Sequence, residues 1–191
     1  MLFRSWRNLG SLRAIDAMSF ALNSFYVSSP SQIPNGYFRL GETTTTSAAA
    51  SFSLTLPVTR RRLFLVLATA GKAGLDSAAI RFNSDSGNNY SHRINSNGIA
   101  DGTQTSQSKI LLETTSHTGV TIGYYWIDNQ SGRYKRIIGH ASEGGTAVAA
   151  SDRSELHGVW ADTDQISTIT ILTALGQNLL TGAYLGVYGC D

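Results

Sequence analysis

Cysteine occurs once in the 191 residues, at Cys190, which excludes an internal disulfide framework and a cysteine-ligated zinc site. Charge is scarce as well. Only 15% of residues are charged, against roughly 25% in an ordinary soluble domain. The formal net charge is +2, too small to set up the field that nucleic-acid binding needs, so nucleic acid is not an expected partner. No apolar run approaches the roughly 18 residues of a helical membrane span, so a membrane is not expected either. Proline appears only three times, and no Walker phosphate loop, dinucleotide-binding glycine fingerprint or Gly-x-Ser-x-Gly elbow is found. In their place stand small polar residues: serine, threonine and glycine make up 61 of the 191. Hydrophobic residues still reach 41%, so the chain is no disordered polar tract and can bury the core of one domain.

Residues 1–35 differ from the rest. Met1 to Leu12 carries Arg4, Arg7 and the aromatic pair Phe3 and Trp6. Leu12, Ile15, Met18, Phe20, Leu22 and Phe25 then fall near helical spacing, which fits a short amphipathic helix. The Phe25-Tyr26-Val27 run with Ser19 and Ser24 fits an extended segment equally. Arg13, Asp16 and Ser19 interrupt the apolar stretch and no small-x-small site follows, which argues against a signal peptide. Pro30 and Pro34 among serines mark a linker. The segment 1–35 is therefore expected to be an arm that packs on its own domain or reaches a neighbouring subunit.

From residue 36 to 191 the pattern is one of strands. Phe52-Ser53-Leu54-Thr55-Leu56 and Ile166-Ser167-Thr168-Ile169-Thr170-Ile171 alternate apolar and hydroxyl residues, the signature of half-buried strands. Leu63-Phe64-Leu65-Val66-Leu67 is apolar on both faces and reads as a central strand covered on both sides. Further strands are expected over 37–40, 78–82, 89–94, 109–113, 120–127, 133–140, 156–160 and 183–188. Clusters such as Ser84–Asn88, Asp128–Gly132 and Gly176–Asn178 supply the turns. About eleven short strands at this spacing predict an all-β chain, an antiparallel β-sandwich of jelly-roll type behind the N-terminal arm.

Candidate chemistry is sparse. The four histidines, His92, His117, His140 and His157, show no short ligand spacing, so no metal and no cofactor is expected. Asn83 to Asn89 offers oxygen donors at alternate positions and a glycine, as a calcium loop does, but lacks the closing bidentate acid; a β-turn explains it better. Arg60-Arg61-Arg62 is the single basic run; a solvated strand entrance, or an ion pair across an interface with Asp152, Glu155, Asp162 or Asp164, explains it better than a phosphate or sugar-acid site shared with Arg39 or Arg81. Glu143 and Glu155 are the carboxylates one would pair in a glycosidase, though spacing alone does not place them together. Tyr124, Trp126 and Trp160, with Tyr184 and Tyr188, are either core residues or a platform for the apolar faces of sugars. Cys190 is expected to fill a buried strand end.

Residues 81–90, Arg-Phe-Asn-Ser-Asp-Ser-Gly-Asn-Asn-Tyr, resemble a pattern that recurs in structural proteins of tailed bacteriophages. There a strand ends in Arg-Phe-Asn, an Asp/Gly turn follows, and Asn-Tyr opens the next strand. The strand 166–171 and the closing segment 181–189, ending in Tyr-Gly, are similar to the last strands of the same group. The resemblance covers roughly residues 50–189 in order and spacing and implies a jelly-roll-like virion module, with Phe82, Asn83 and Tyr90 as structural positions. It implies no enzymatic role. The expected function is capsid decoration: a cement protein on the outer surface of the virion, binding the major capsid protein through Phe3, Arg4, Trp6, Arg7, Leu12 and Ile15. A homo-oligomer is expected, a trimer in preference to a dimer. The alternative is a tail- or baseplate-associated module that binds host glycan through Tyr124, Trp126, Trp160 or the loop 84–89.

Overall fold

The computed structural model describes residues 32–33, 36–99, 101–114, 118–144 and 152–191. The six arm residues, with the helix-or-extended alternative, lie outside the described residues, as does His117. The described chain is all β. Its strands are β1 (Gln32–Ile33), β2 (Tyr37–Thr44), β3 (Ser51–Thr55), β4 (Arg62–Thr69), β5 (Ala78–Phe82), β6 (Tyr90–Ser96) and β7 (Gly102–Gln107). They continue with β8 (Ile110–Leu111), β9 (Thr121–Asp128), β10 (Lys135–Glu143), β11 (Asp152–Trp160), β12 (Thr168–Thr173) and β13 (Tyr184–Cys190). All pair antiparallel, in a nine-stranded sheet of order β1-β2-β13-β4-β9-β10-β11-β6-β7 and a four-stranded sheet of order β3-β12-β5-β8. The chain passes back and forth between the two sheets, which makes a β-sandwich of jelly-roll type.

Alternation decides which side chains meet between the sheets. Leu63, Leu65 and Leu67 of β4, Tyr125 and Ile127 of β9, and Leu185 and Val187 of β13 point inward from the large sheet. Ile80 and Phe82 of β5 and Ile169 and Ile171 of β12 meet them from the small one. Each such aliphatic side chain contributes roughly 1.5–3 kcal/mol by leaving water. Tyr125 lies flat against Gly139 on β10, where an added methyl group would collide with its ring and with the Tyr124 carbonyl oxygen. One end of the core is polar. Lys72 and Glu113, both fully buried, pair at 2.6 Å. Glu113 also accepts from the Ala78 amide and the Thr121 hydroxyl, and Glu143 accepts from Ser154.

Residues 81–90 form the corner joining the two sheets. Asn83 and Ser84 adopt left-handed φ values of 50° and 58° at the turn after β5. The Asn83 Oδ1 accepts from the amides of Ser167 (2.8 Å) and Thr168 (3.1 Å), and its Nδ2 donates to the Gln165 carbonyl at 3.0 Å. Asp85 accepts from Trp160 Nε1 at 2.7 Å, Asn89 Nδ2 at 2.9 Å and the Gly87 amide at 2.8 Å. Burial alone would raise the Asp85 carboxyl, yet the hydrogen bonds from Asn89, Trp160 and Gly87 hold it below the ordinary value. The Tyr90 hydroxyl receives the Phe82 amide and donates to the Asp85 carbonyl, and burial pushes its pKa up to about 12. The segment is thus a turn with every carboxylate contact internal, as its Asn and Gly content suggests.

Candidate binding face

The outer face of the nine-stranded sheet departs from the sequence expectation. The run Leu63–Leu67 is apolar on both sides, but among the described residues only its inner side is covered. Phe64 and Val66 look outward and are half-buried by neighbours in their own sheet rather than by a second layer. Strand register aligns them with other large side chains. Tyr188 of β13 lies opposite Phe64, Phe64 opposite Trp126 of β9, Trp126 opposite Ile138 of β10, and Ile138 opposite His157 of β11. One row beside it, Val66, Tyr124 and His140 face each other in the same way. The rings touch: Phe64 to Trp126 at 5.2 Å, Tyr124 to Trp126 at 5.5 Å, edge to face, and Tyr124 to His140 at 5.7 Å. Trp126 remains 40% exposed, Tyr124 45% and Ile138 47%.

The next row toward the β9–β10 turn is charged. Arg62 lies opposite Asp128, and Asp128 opposite Arg136. Together with Tyr37, Trp126, Gln130 and Ile138 these residues line a groove of about 450 Å³. A second groove of about 620 Å³ runs on from Arg136 and Asp128 past Arg133, Tyr134 and Thr163. A third, of about 300 Å³, lies across Arg136, Ile138, His157 and Arg93. Arg136 borders all three, so they form one continuous depression across β4, β9, β10, β11 and β6.

Two buried side chains fix the wall of this depression. Asn129 takes the Ile166 amide on its Oδ1 at 2.7 Å and donates from Nδ2 to the Arg60 carbonyl at 2.9 Å. The Lys135 ammonium is buried under the β9–β10 turn and donates to the carbonyls of Gln130 (2.9 Å), Thr163 (3.1 Å) and Arg133. Burial pushes its pKa below the ordinary value, while Asp162, Asp128 and Asp164 pull the other way. Three carbonyl acceptors on one ammonium leave the turn little freedom, so Gln130, Arg133 and Tyr134 project from a fixed rim.

The three arginines of the basic run part company. Arg60 pairs with Asp191 at 2.7 Å. Arg61 reaches Gln130 at 3.5 Å. Arg62, exposed, has no hydrogen-bond or ion-pair partner among the described residues, and Arg136 has none either. Arg62 and Trp126 therefore share one groove, with Tyr124 a step away on the same face. Trp160 does not belong with them. It is 1% exposed, stacked on Tyr90 at 6.2 Å, with its N–H given to Asp85. Its position two residues beyond Gly158 places it inward, so it is a core residue and not a surface contact. Loop 84–89 has its aspartate engaged by its own corner. Cys190 is half-buried at the end of β13, and the Tyr37 phenol is pushed up in pKa, first by burial and then by the neighbouring Cys190 thiol. The strand end is thus only partly covered.

Other pairings suggested by the sequence separate. Glu143 is buried on the inner side of β10, and Glu155 lies on the outer side of β11 opposite His140, so the two cannot flank one glycosidic bond. Asp152 accepts from Asn97 at 2.8 Å, and Asp162 accepts from the Asp164 amide at 2.8 Å. Among the described residues no group of three His, Cys, Asp or Glu side chains is placed to hold a metal ion. Arg136, Asp128, Gln130, Tyr134 and Tyr37 carry no motif. Only parity along β9 and β10, plus the register between them, could have joined them to Trp126.

No protein-family model matches the chain, and no curated protein matches it. Among solved structures it is similar to an alginate lyase mutant in complex with alginate tetrasaccharide, at 11% identity over 95% of this chain and 92% of that chain, with a TM-score of 0.28. A likeness at that level supports no statement about shared fold or chemistry.

Proposed function

We propose that this chain is a non-enzymatic virion module of a tailed bacteriophage, and that it binds saccharide on the host surface through the outer face of its larger sheet. The row Tyr188, Phe64, Trp126 and Ile138, with Trp126 and Ile138 exposed beside a groove lined by Arg62, Asp128, Gln130 and Arg136, carries this reading. Flat rings cover the apolar faces of sugars, while Gln130, Asp128 and the arginines supply directional hydrogen bonds at the edges. A contiguous aromatic patch of this kind is the kind of surface that marks an interaction site. The resemblance of residues 81–90 and 166–189 to phage structural proteins supports the virion setting.

Of the two virion roles open at the sequence level, this face favours the glycan-binding one, attached at tail or baseplate. The cement role depends on the arm, whose residues lie outside those described. The mode of action is adhesion by many weak contacts. A homo-oligomer, a trimer in preference to a dimer, would present several copies of the face, and such multivalency raises avidity by roughly 10²–10⁴-fold without new contacts. The test is retention on an immobilised panel of host-surface saccharides, with chain-length analysis of the bound sugar afterwards. The proposal expects retention that Trp126→Ala abolishes while the chain stays folded, its melting temperature lower by only a few degrees for the lost ring contacts, and no shortening of the sugar. Binding to assembled heads with no retention on any saccharide would favour cement, and cleavage of the sugar would overturn the non-enzymatic assignment.

A further inference from the structure

Resting on that reading, we infer that the saccharide is acidic, and that Arg62 and Arg136 are the residues that recognise its carboxylate. The two arginines stand on either side of Asp128 in a single cross-strand row, one strand away in each direction. Neighbouring strands lie about 4.8 Å apart, so the two backbones are separated by roughly 10 Å, within the span that two extended arginine side chains can close over one ligand group. Both are exposed, and among the described residues neither guanidinium is engaged by an acceptor. Asp128, half-buried between them, makes no ion pair with either, and its Oδ1 has no hydrogen-bond partner. Arg133 lines the adjoining groove with Arg136 and Asp128, so the two grooves together are lined by three arginines and one carboxylate. That surplus of positive charge stands out on a chain whose formal net charge is only +2.

The surroundings narrow the ligand. A guanidinium offers paired N–H donors in a plane that matches a carboxylate. Trp126, in the aromatic row next to the charged one, supplies a flat apolar wall, and Gln130 supplies a neutral donor and acceptor at the rim. An acidic sugar ring combines these features: a carboxylate for the arginines, an apolar face for Trp126 and hydroxyls for Gln130 and Asp128. Arg62 and Arg136 thus set specificity for the acid group, whereas the aromatic row gives affinity for any ring.

The experiment compares uronic- and sialic-acid oligosaccharides with the same oligosaccharides after reduction of the carboxyl to an alcohol, by titration against the intact chain. The expected result is tighter binding of at least one acidic member over its reduced partner by roughly tenfold or more, the worth of a charge-assisted hydrogen-bond pair. Rising salt should shrink that preference. The Arg62→Gln/Arg136→Gln double variant should lose it and bind the acidic and the reduced sugar alike, at an unchanged melting temperature, since neither arginine makes a hydrogen bond or ion pair to another described residue. Equal binding of acidic and reduced sugars, both sensitive to Trp126→Ala, overturns this inference and leaves saccharide binding standing. Binding of neither overturns both.

Discussion

Replacing Asn83 by alanine removes the tie between the corner after β5 and the segment leading into β12. Its side chain accepts two backbone amides, at 2.8 Å from Ser167 and 3.1 Å from Thr168, and donates to the Gln165 carbonyl at 3.0 Å. Each such bond is worth about 1 kcal/mol net, and alanine in the left-handed region adds a penalty of about 1 kcal/mol that asparagine largely avoids. Ser167 is exposed, so water takes over part of its loss. The expected destabilisation is about 2–4 kcal/mol. For a chain of this size each kcal/mol lowers Tm by about 2–4 °C, giving a drop on the order of 4–16 °C by differential scanning calorimetry. Two further variants separate the contributions. Asn83→Asp keeps the acceptor but sets a carboxylate oxygen against the Gln165 carbonyl, so it should melt below the parent. Asn83→Gly loses the same bonds as alanine without the φ penalty, so it should melt above Asn83→Ala. If Asn83→Ala melts within about 1 °C of the parent, the corner is not held by this side chain and its structural assignment is wrong.

Further consequences follow from the packing. Gly139→Ala drives a methyl group into the Tyr125 ring and the Tyr124 carbonyl oxygen, and should cost about 1–3 kcal/mol in urea unfolding, as overpacking does. Glu113→Gln removes the carboxylate that pairs with the buried Lys72 ammonium at 2.6 Å, and should cost about 3–5 kcal/mol by the same measurement. His92 is buried, neither ring nitrogen has a hydrogen-bond partner among the described residues, and burial lowers its pKa below 6.5. The unfolded chain then takes up a proton that the folded one resists. Stability should fall as pH drops from about 6.5 toward the lower folded value and level off below it. His92→Leu should flatten that part of the pH profile. A separate loss should begin only near and below the ordinary 3.8 of Asp76 and Asp85, whose folded pKa values are held lower.

Most of the fold was legible because the chain advertises its strands. Ala78–Phe82 was bounded correctly from its apolar residues and the Asn-Ser-Asp turn after it, and the Phe52–Leu56 and Ile166–Ile171 alternations became β3 and β12. β7 was not legible. Its sequence Gly-Thr-Gln-Thr-Ser-Gln is exposed throughout and lies at the sheet edge, so no burial pattern was imposed on it. β1, two residues long, carries too little pattern to register. Leu63–Leu67 misled in an informative way: outward apolar residues signalled a covering layer, and they instead form the open aromatic row. Trp160 misled in the opposite sense, because a tryptophan in a strand reads equally as core or platform until parity with Gly158 and Leu156 is known. The groove itself depends on register between β4, β9 and β10, which local sequence does not encode.

The central claim, that the outer face of the nine-stranded sheet is the binding surface, is tested most directly by mapping backbone amide chemical shifts during titration with the tightest-binding acidic oligosaccharide. The account predicts shifts concentrated on β4, β9 and β10, around Arg62, Trp126, Arg136 and Ile138, with β3, β5 and β12 undisturbed. Shifts centred on loop 84–89 or on the four-stranded sheet would contradict it.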